Sequence, residues 1–308
     1  MNRQQDLPSC VRHPDKPTGL RCVRCDRPAC PDCLREASVG YQCVDCVAEG
    51  SKTVRPARTT AGAQVRRSGR RLVVVPALIG LNVLVFAVTA YQAHSITENQ
   101  NSSLFLDWSL FPSLVAGGDY WRLITAGFLH FGNYGGYGPI HLIFNMFALY
   151  VLGRDLEMAL GRSRFLSVYA LALFGGSVAV MLFGDGFTMV AGASGAIYGL
   201  FGGIAVVVFR AKLNPTPVLV LLGINIFLSV ALPGISLLGH LGGLAVGGLA
   251  TAALVYAPRT KNLVRFQVLA CTGLAVLLVV ILAVRVSTMD RSCEMTSDRG
   301  AISCLRSG

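Results

Sequence analysis

The stretch Gly192-Ala193-Ser194-Gly195 stands at the head of an apolar segment, Val190 to Phe209, that contains no charged residue. A second polar residue, His240, stands at the head of another apolar segment, Ser236 to Tyr256. A serine hydroxyl becomes a nucleophile when a neighbouring base takes its proton, and neutral imidazole suits that task. The two segments therefore predict a serine–histidine pair, and with it hydrolysis, inside a lipid bilayer.

The composition separates a short polar region from a long apolar one. Hydrophobic residues make up 53% of the 308-residue chain and charged residues only 14%, against roughly a quarter in soluble domains. The first 71 residues are polar, and the remainder consists mostly of apolar blocks of membrane-spanning length. We predict an all-α polytopic membrane protein preceded by a small soluble module. The predicted divisions are a cysteine-rich module at 1–48, a basic juxtamembrane linker at 49–71, a membrane domain at 72–286 and a tail at 287–308.

Seven apolar segments are predicted to span the membrane, and the basic residues between them set the orientation. The segments lie at about 72–93, 140–153, 165–184, 190–209, 216–233, 236–256 and 266–285. Lys and Arg concentrate in cytoplasmic connections. A cytoplasmic N-terminus leaves only Arg122 in the outer connections and places these residues in the inner ones: Arg154, Arg162, Arg164, Arg210, Lys212, Arg259, Lys261 and Arg265. We therefore expect a multi-pass protein of the plasma (inner) membrane, with a cytoplasmic N-terminus, an external tail and an active site that opens externally.

This orientation brings four polar residues to one depth. Spans two, four and six all run from outside to inside, and each begins with polar residues: His141 and Asn145, Ser194, and His240. Polar side chains in a span are costly and usually face the protein interior. A lone membrane serine more often bonds back to its own helix, and the surrounding sequence does not match the Gly-x-Ser-x-Gly elbow. The prediction of one site therefore rests on the conjunction of the four.

The predicted roles follow from the chemistry of acyl transfer. Ser194 is the expected nucleophile and His240 its base, a dyad because no acid lies in the outer half of either span. The ring of Tyr198, one turn after Ser194, is expected to orient His240. The oxyanion needs donors. We assign these to the side chains of His141 and Asn145, spaced i, i+4 on one helix face, and to the Ser194 backbone N–H.

Glycines are predicted to let spans four and six approach closely. Small residues at helix contacts bring backbones together in membranes, and Gly243-x-x-x-Gly247 has that spacing. The glycines assigned to this packing are Gly192, Gly195, Gly199, Gly243 and Gly247.

Several of these motifs together resemble the rhomboid family of intramembrane serine proteases. The similar elements are Gly-Ala-Ser-Gly-Ala-Ile-Tyr-Gly at 192–199, His-x-x-x-Asn at 141–145, His240 with Gly243, and Trp121-Arg122 in the first outer loop. The resemblance covers about Leu72 to Val255. It implies a helical bundle of six core spans, to which the chain adds a seventh.

The resemblance also implies how such a protein would act. Its substrates would be single-span membrane proteins, cut near the outer end of the span where the helix unwinds. Span five would be the lateral gate, and the loop with Trp121-Arg122 would lie partly in the outer leaflet. The family often has a further histidine five residues before the His-x-x-x-Asn motif. Here the candidate, His130, comes eleven residues earlier, and we assign it no catalytic role.

The N-terminal cysteines have the spacing of metal ligands. Four pairs separated by two residues supply eight ligands, enough for two tetrahedral structural zinc sites: Cys10, His13, Cys22, Cys25, Cys30, Cys33, Cys43 and Cys46. Disulfides are disfavoured in a cytoplasmic module. We prefer a cross-brace, with Cys10, His13, Cys30 and Cys33 at one ion, over sequential pairing. The order resembles B-box-like and RING-like fingers.

The partners of the N-terminal region are predicted from its charge. Seven basic residues in 52–71 precede the first span, where each attracts anionic lipid by about 1 kcal/mol. The inner-leaflet surface is therefore favoured over nucleic acid as their partner. The zinc module is expected to bind a protein partner, the membrane surface or the membrane domain itself. In the tail, a disulfide between Cys293 and Cys304 is compatible with an external location.

An intramembrane serine endopeptidase is the favoured function. The alternative is a catalytically silent protein of the rhomboid fold that binds membrane-protein clients. The sequence disfavours it because nucleophile, base and oxyanion donors are all present. A transporter is disfavoured by the shallow depth of the polar groups.

Overall fold

The computed structural model describes residues 7–53, 61–62, 72–133, 139–232, 234–258 and 260–289, together with the backbone of 293–295 and 302–304. The chain divides into two compact units, Met1–Ala57 and Arg58–Gly308. The predicted organisation, a membrane bundle of helices after a small cysteine-rich module, is confirmed.

The first unit is built around its cysteines. Strands β1 (Ser9–Cys10) and β2 (His13–Pro17) pair antiparallel, as do β3 (Leu34–Glu36) and β4 (Tyr41–Cys43), and helix α1 (Val44–Thr53) follows. Its buried apolar cluster consists of cysteines plus Ala29 and Leu34. So small a core cannot offset the conformational entropy of the chain, and the unit needs another source of stability.

The second unit is helical. Its long helices are α2 (Val74–Gln92), α6 (Ile140–Leu160), α7 (Arg162–Phe183), α8 (Ser194–Arg210), α9 (Thr216–Ala231), α10 (Leu237–Val255) and α11 (Leu263–Ser287); between α2 and α6 lie the short α3 (Ser103–Trp108), α4 (Pro112–Gly117) and α5 (Arg122–Thr125). By length and composition, α2, α7, α10 and α11 can each cross a membrane. Helices α8 and α9 are shorter apolar helices, and α6 is 21 residues long.

Two helix boundaries differ from the predicted spans. Helix α6 continues past 153 to Leu160, because the charged residues after 153 do not interrupt the helix. It ends at Gly161, which has φ +89°. Helix α8 begins at Ser194 rather than 190. Val190 instead exchanges two backbone hydrogen bonds of 2.9 Å with Leu110, and Gly192 has φ +135°, which a helix excludes.

Helices α7, α8 and α10 form the centre of the bundle, and glycines set their spacing. A Cβ on Gly243 would overlap the Gly195 carbonyl oxygen, and one on Gly247 would overlap the Gly199 backbone. Gly192, which was also assigned to this packing, precedes α8, and a Cβ there would meet His141 of α6.

A buried carboxylate joins α2 to α6. Glu157 is 3% exposed, and its Oε1 accepts the N–H groups of Val73 and Val74 at 3.0 and 3.2 Å. Its Oε2 accepts the N–H of Val75 at 2.9 Å. The side chain thus caps orphan donors at the N-terminus of α2, where the helix dipole favours a negative charge.

The seventh long helix, α11, is fixed to the bundle near both ends. Buried Gln267 donates to the carbonyls of Ala61 at 3.0 Å and Leu254 at 2.8 Å and accepts from Arg164 Nε at 2.8 Å. At the other end, Arg285 Nε donates to the Met181 carbonyl at 3.0 Å.

After α11, strands β5 (Cys293–Met295) and β6 (Ile302–Cys304) pair antiparallel, with Cys293 opposite Cys304. This register is compatible with the predicted disulfide, which stays a prediction.

Candidate active site and metal centres

The first residue of α8 and the fourth of α10 meet near the N-terminal ends of these two helices. Ser194 Oγ lies 2.8 Å from His240 Nε2, within hydrogen-bond distance. His240 is 6% exposed and Ser194 is half-buried. The pair lies beside the Gly195–Gly243 contact, so the close approach of the two helices brings the hydroxyl and the ring together.

The His240 ring has two further contacts, one on its face and one at its second nitrogen. Tyr198 stacks on the imidazole with the ring centroids 4.0 Å apart and the planes inclined by 14°. On the far nitrogen, His240 Nδ1 lies 2.8 Å from Ser229 Oγ, a hydroxyl from α9. The Tyr198 hydroxyl lies 2.7 Å from the same Ser229 oxygen.

Sequence reasoning missed Ser229. A single serine in an apolar span usually bonds back to its own helix, and Ser229 does donate to the Asn225 carbonyl at 2.8 Å. No local signal in the sequence distinguishes it, because its partners Tyr198 and His240 lie on other helices.

His141 flanks the serine from α6. Its Nδ1 accepts the N–H of Phe131 at 3.3 Å, so in the neutral ring the hydrogen is on Nε2. A Cβ on Gly192 would stand 3.0 Å from His141 Nε2 and 3.6 Å from Ser194 Oγ. Glycine at 192 therefore keeps open a small space that both groups border.

Asn145 lies one turn beyond His141. It is 7% exposed, and its Nδ2 donates to the His141 carbonyl at 2.8 Å. The amide nitrogen carries a second hydrogen that this bond does not use. Among the described hydrogen bonds, none joins the Asn145 side chain to Ser194 or His240.

The two residues predicted in the outer loop have different surroundings. Arg122 is 3% exposed and holds the loop from inside: Nη1 donates to the carbonyls of Leu106 and Ser109, and Nε to Asp119. Trp121 is 51% exposed, and its Nε1 donates to the Asp107 carbonyl at 3.0 Å. Arg122 is thus placed to order the loop, whereas the Trp121 ring lies at its surface.

His130 is fully buried next to this site. Its ring centroid lies 5.1 Å from that of His141, and neither of its ring nitrogens has a partner among the described residues. Its carbonyl accepts Asn99 Nδ2 at 2.9 Å, which anchors the loop that precedes α6. Most of residues 133–139, which separate His130 from His141, lie outside the described residues.

In the first unit the eight predicted metal ligands form two clusters. One contains Cys10, His13, Cys30 and Cys33, and the other Cys22, Cys25, Cys43 and Cys46; within each, the ligand atoms all lie within 4.8 Å of one another. This is the cross-brace grouping, not the sequential one. Tetrahedral ligands at about 2.3 Å from a zinc ion would stand roughly 3.8 Å apart. The Cys25 and Cys43 sulfurs are 3.8 Å apart, so the donor set fits such an ion.

Backbone N–H groups support the sulfur ligands. Cys43 N donates to Cys22 Sγ at 3.1 Å, and Cys46 N to Cys43 Sγ at 3.5 Å. A hydrogen bond from the Cys30 backbone lowers the pKa of the Cys10 thiol to about 6, whereas burial raises the pKa of Cys33 to about 11. A bound cation favours the thiolate at both positions. The seven cysteines of the two clusters form no disulfide.

The basic linker falls mostly outside the described part of the chain. Of residues 52–71, the structure describes 52, 53, 61 and 62. The predicted contact of this segment with anionic lipid therefore stays a prediction.

Comparison with known proteins finds a matching family and several relatives for the membrane unit. The family model for the rhomboid domain matches residues 117–258, which include Trp121, Ser194 and His240. The rhomboid protease GluP of Bacillus subtilis is 37% identical over 147 residues, which are 46% of this chain and 27% of that protein. The putative rhomboid protease YdcA of the same organism is 32% identical over 180 residues, 56% of this chain and 84% of that protein.

A third relative is more distant. The rhomboid protease AarA of Providencia stuartii is 27% identical over 217 residues, 60% of this chain and 75% of that protein. The chain thus spans most of two of these relatives but only about a quarter of the length of GluP.

Proposed function

The chain belongs to the rhomboid family, and from this premise we propose that it is an intramembrane serine endopeptidase that uses Ser194 and His240 as a catalytic dyad. The observation that carries the proposal is the 2.8 Å contact between Ser194 Oγ and His240 Nε2. Three relatives that are named as rhomboid proteases support the reaction class.

The proposed reaction proceeds through an acyl-enzyme. Ser194 Oγ attacks the scissile carbonyl carbon while its proton passes to His240 Nε2. The C–N bond then breaks, and His240 returns the proton to the leaving amine. Water, deprotonated by the same nitrogen, attacks the ester, and the regained proton restores the Ser194 hydroxyl.

Three donors would bind the oxyanion of the tetrahedral intermediate. The Ser194 backbone N–H lies in the first turn of α8, where N–H groups have no partner within the helix. The hydrogen on His141 Nε2 and the second amide hydrogen of Asn145 lie on the adjacent helix α6. Donors fixed before the reaction stabilise developing charge without reorganisation.

The proposed substrates are single-span membrane proteins cut near the outer end of the span. Ser194 and His240 lie in the first turns of their helices, a shallow depth in the predicted topology. A helical peptide carbonyl is hydrogen-bonded and shielded, so the substrate must unwind before attack. We propose that α9 is the lateral gate and that the Trp121 ring contacts the outer leaflet.

The remaining parts of the proposal concern location and the N-terminal module. We propose a plasma-membrane protein with a cytoplasmic N-terminus and an external tail, and the same division into module, linker, membrane domain and tail that the sequence predicts. The two Cys/His clusters would hold structural zinc, with no open position for catalysis. The zinc module would bind a protein partner, and the basic linker at 52–71 would bind anionic lipid.

The proposal is tested by cleavage of a single-span reporter with a helix-destabilised outer segment, reconstituted with the enzyme in vesicles. Wild type and the matched control Ser167→Ala, a half-buried serine on α7 that donates to its own helix, should cut it. Ser194→Ala and His240→Ala should each abolish cleavage at equal protein content. A fluorophosphonate probe should label wild type at Ser194 and leave His240→Ala unlabelled.

Two results would contradict the proposal. Equal cutting by all four proteins would assign the activity to a contaminant or to other residues. Absence of cutting together with stable capture of the reporter by wild type would favour the catalytically silent client-binding protein.

A further inference from the structure

Ser229 occupies an unusual position on α9. Among the described residues of this helix it alone is buried, with 5% of its surface exposed. The helix otherwise presents half-buried or exposed side chains, most of them apolar. Its one buried polar group thus lies against the base of the proposed dyad.

The hydrogen atoms around Ser229 can be assigned by counting. A serine hydroxyl has one hydrogen to donate and two lone pairs to accept with. Ser229 Oγ lies 2.8 Å from the Asn225 carbonyl, which can only accept, so the Ser229 hydrogen points there. The Tyr198 hydroxyl at 2.7 Å and His240 Nδ1 at 2.8 Å must then both donate to Ser229.

This count fixes the tautomer of His240. With its hydrogen on Nδ1, the neutral ring has its lone pair on Nε2, facing Ser194 Oγ. That is the form that can take the serine proton. The other tautomer would direct a lone pair at Ser229, which has no second hydrogen to donate.

We infer that Ser229 is a positioning residue that selects the base-competent tautomer of His240, the task that a carboxylate performs in a Ser–His–Asp triad. The inference rests on the proposed function for its effect on catalysis. A buried carboxylate would bring a large desolvation cost into this apolar site, and a hydroxyl avoids it. After proton transfer, Nδ1–H still donates to Ser229, so the imidazolium keeps its orientation.

Tyr198 is part of the same arrangement. Its ring stacks on the imidazole while its hydroxyl fills the second acceptor site of Ser229. Because Ser229 belongs to α9, displacement of that helix would remove the acceptor from Nδ1–H. The base would then be held in its competent form only while α9 is in place.

The first test reads the tautomer directly. In the full-length protein labelled with ¹⁵N-histidine, the His240 signals, assigned by their loss in His240→Ala, should show hydrogen on Nδ1 and a bare Nε2. The reverse tautomer in wild type would overturn the inference without any change at Ser229. This measurement does not need a substrate, so it stands even if no reporter is cleaved.

The second test compares variants by kinetics. Ser229→Ala should lower kcat about tenfold, the loss of roughly one buried hydrogen bond, with KM nearly unchanged. Ser229→Thr, which keeps the hydroxyl, should retain most of the activity. Asn225→Ala is the matched control, because its amide donates to the Leu221 carbonyl and the substitution keeps the backbone carbonyl that accepts from Ser229.

Two outcomes separate this inference from the proposed function. An inactive wild type whose His240 carries the Nδ1 hydrogen would end the protease proposal and leave the tautomer assignment intact. An active Ser229→Ala with unchanged kcat and an unchanged His240 tautomer would overturn the role of Ser229 alone. If Ser229→Ala does not fold, Ser229→Cys, a weaker acceptor, should show an intermediate loss of kcat.

Discussion

The backbone of Gly243 lies directly against the Gly195 carbonyl oxygen, with no space for a side chain between α10 and α8. The contact is one residue from Ser194 and three from His240. The distance between nucleophile and base is therefore set by helix packing, and any group that separates the two helices should lengthen it.

We expect Gly243→Ala to reduce both stability and cleavage. The added methyl group must push α8 and α10 apart, which should lower the free energy of unfolding by about 1–3 kcal/mol. Small displacements at a reacting pair can cost about 100-fold in rate. Thermal unfolding in detergent and reporter cleavage measure the two effects. Gly273→Ala on α11, where a Cβ meets nothing within 4 Å, should leave both unchanged. Equal behaviour of the two variants would contradict the packing account.

Glu157 should be important for stability rather than for chemistry. Glu157→Ala removes three hydrogen bonds from a buried carboxylate and leaves the first N–H groups of α2 without partners, at a cost of about 3 kcal/mol. The melting temperature should fall, while folded protein should keep its fluorophosphonate labelling. Asp155→Ala, an exposed carboxylate on the same helix, is the control. A variant that melts like wild type would show that the cap contributes little.

The order of the helices could be predicted from the sequence because the length of an apolar segment is a local signal. The Ser194–His240 contact could be anticipated because Gly195, Gly199, Gly243 and Gly247 mark where two helices can touch. The start of α8 could not be predicted from the sequence. Val190 looks like part of an apolar span, yet it pairs with Leu110, 80 positions earlier in the chain.

Ser229 and Gln267 show a second limit of prediction from sequence. Both are single polar residues in apolar helices, and nothing in their neighbours distinguishes a structural partner from a residue that bonds its own helix. Their partners lie on other helices, such as His240 for Ser229 and Leu254 for Gln267. Only three-dimensional packing identifies which polar groups meet.

The two metal clusters make a prediction that separates their two pairings. Cys10 and Cys33 belong to one cluster of the cross-brace, so the double variant Cys10→Ala/Cys33→Ala should keep about one zinc per chain of an original two. Sequential pairing would put one substitution in each site and leave almost none. The double variant Cys10→Ala/Cys43→Ala, with one ligand lost from each cluster, is the matched comparison and should lose both. Metal content of the purified full chain, measured by mass spectrometry, gives the answer.

His141→Ala should lower kcat about 100-fold with little change in KM, because its Nε2–H would bind charge that exists only in the transition state. His94→Ala, an exposed histidine that follows α2, is the control and should cleave like wild type. Fluorophosphonate labelling should also slow in His141→Ala, since the probe's phosphoryl oxygen needs the same donors, while the His240 ¹⁵N signals should keep the Nδ1 hydrogen. A variant with raised KM and unchanged kcat would place His141 in substrate binding. A changed His240 tautomer would instead show that His141 acts by positioning the base, and either result would remove it from the oxyanion site.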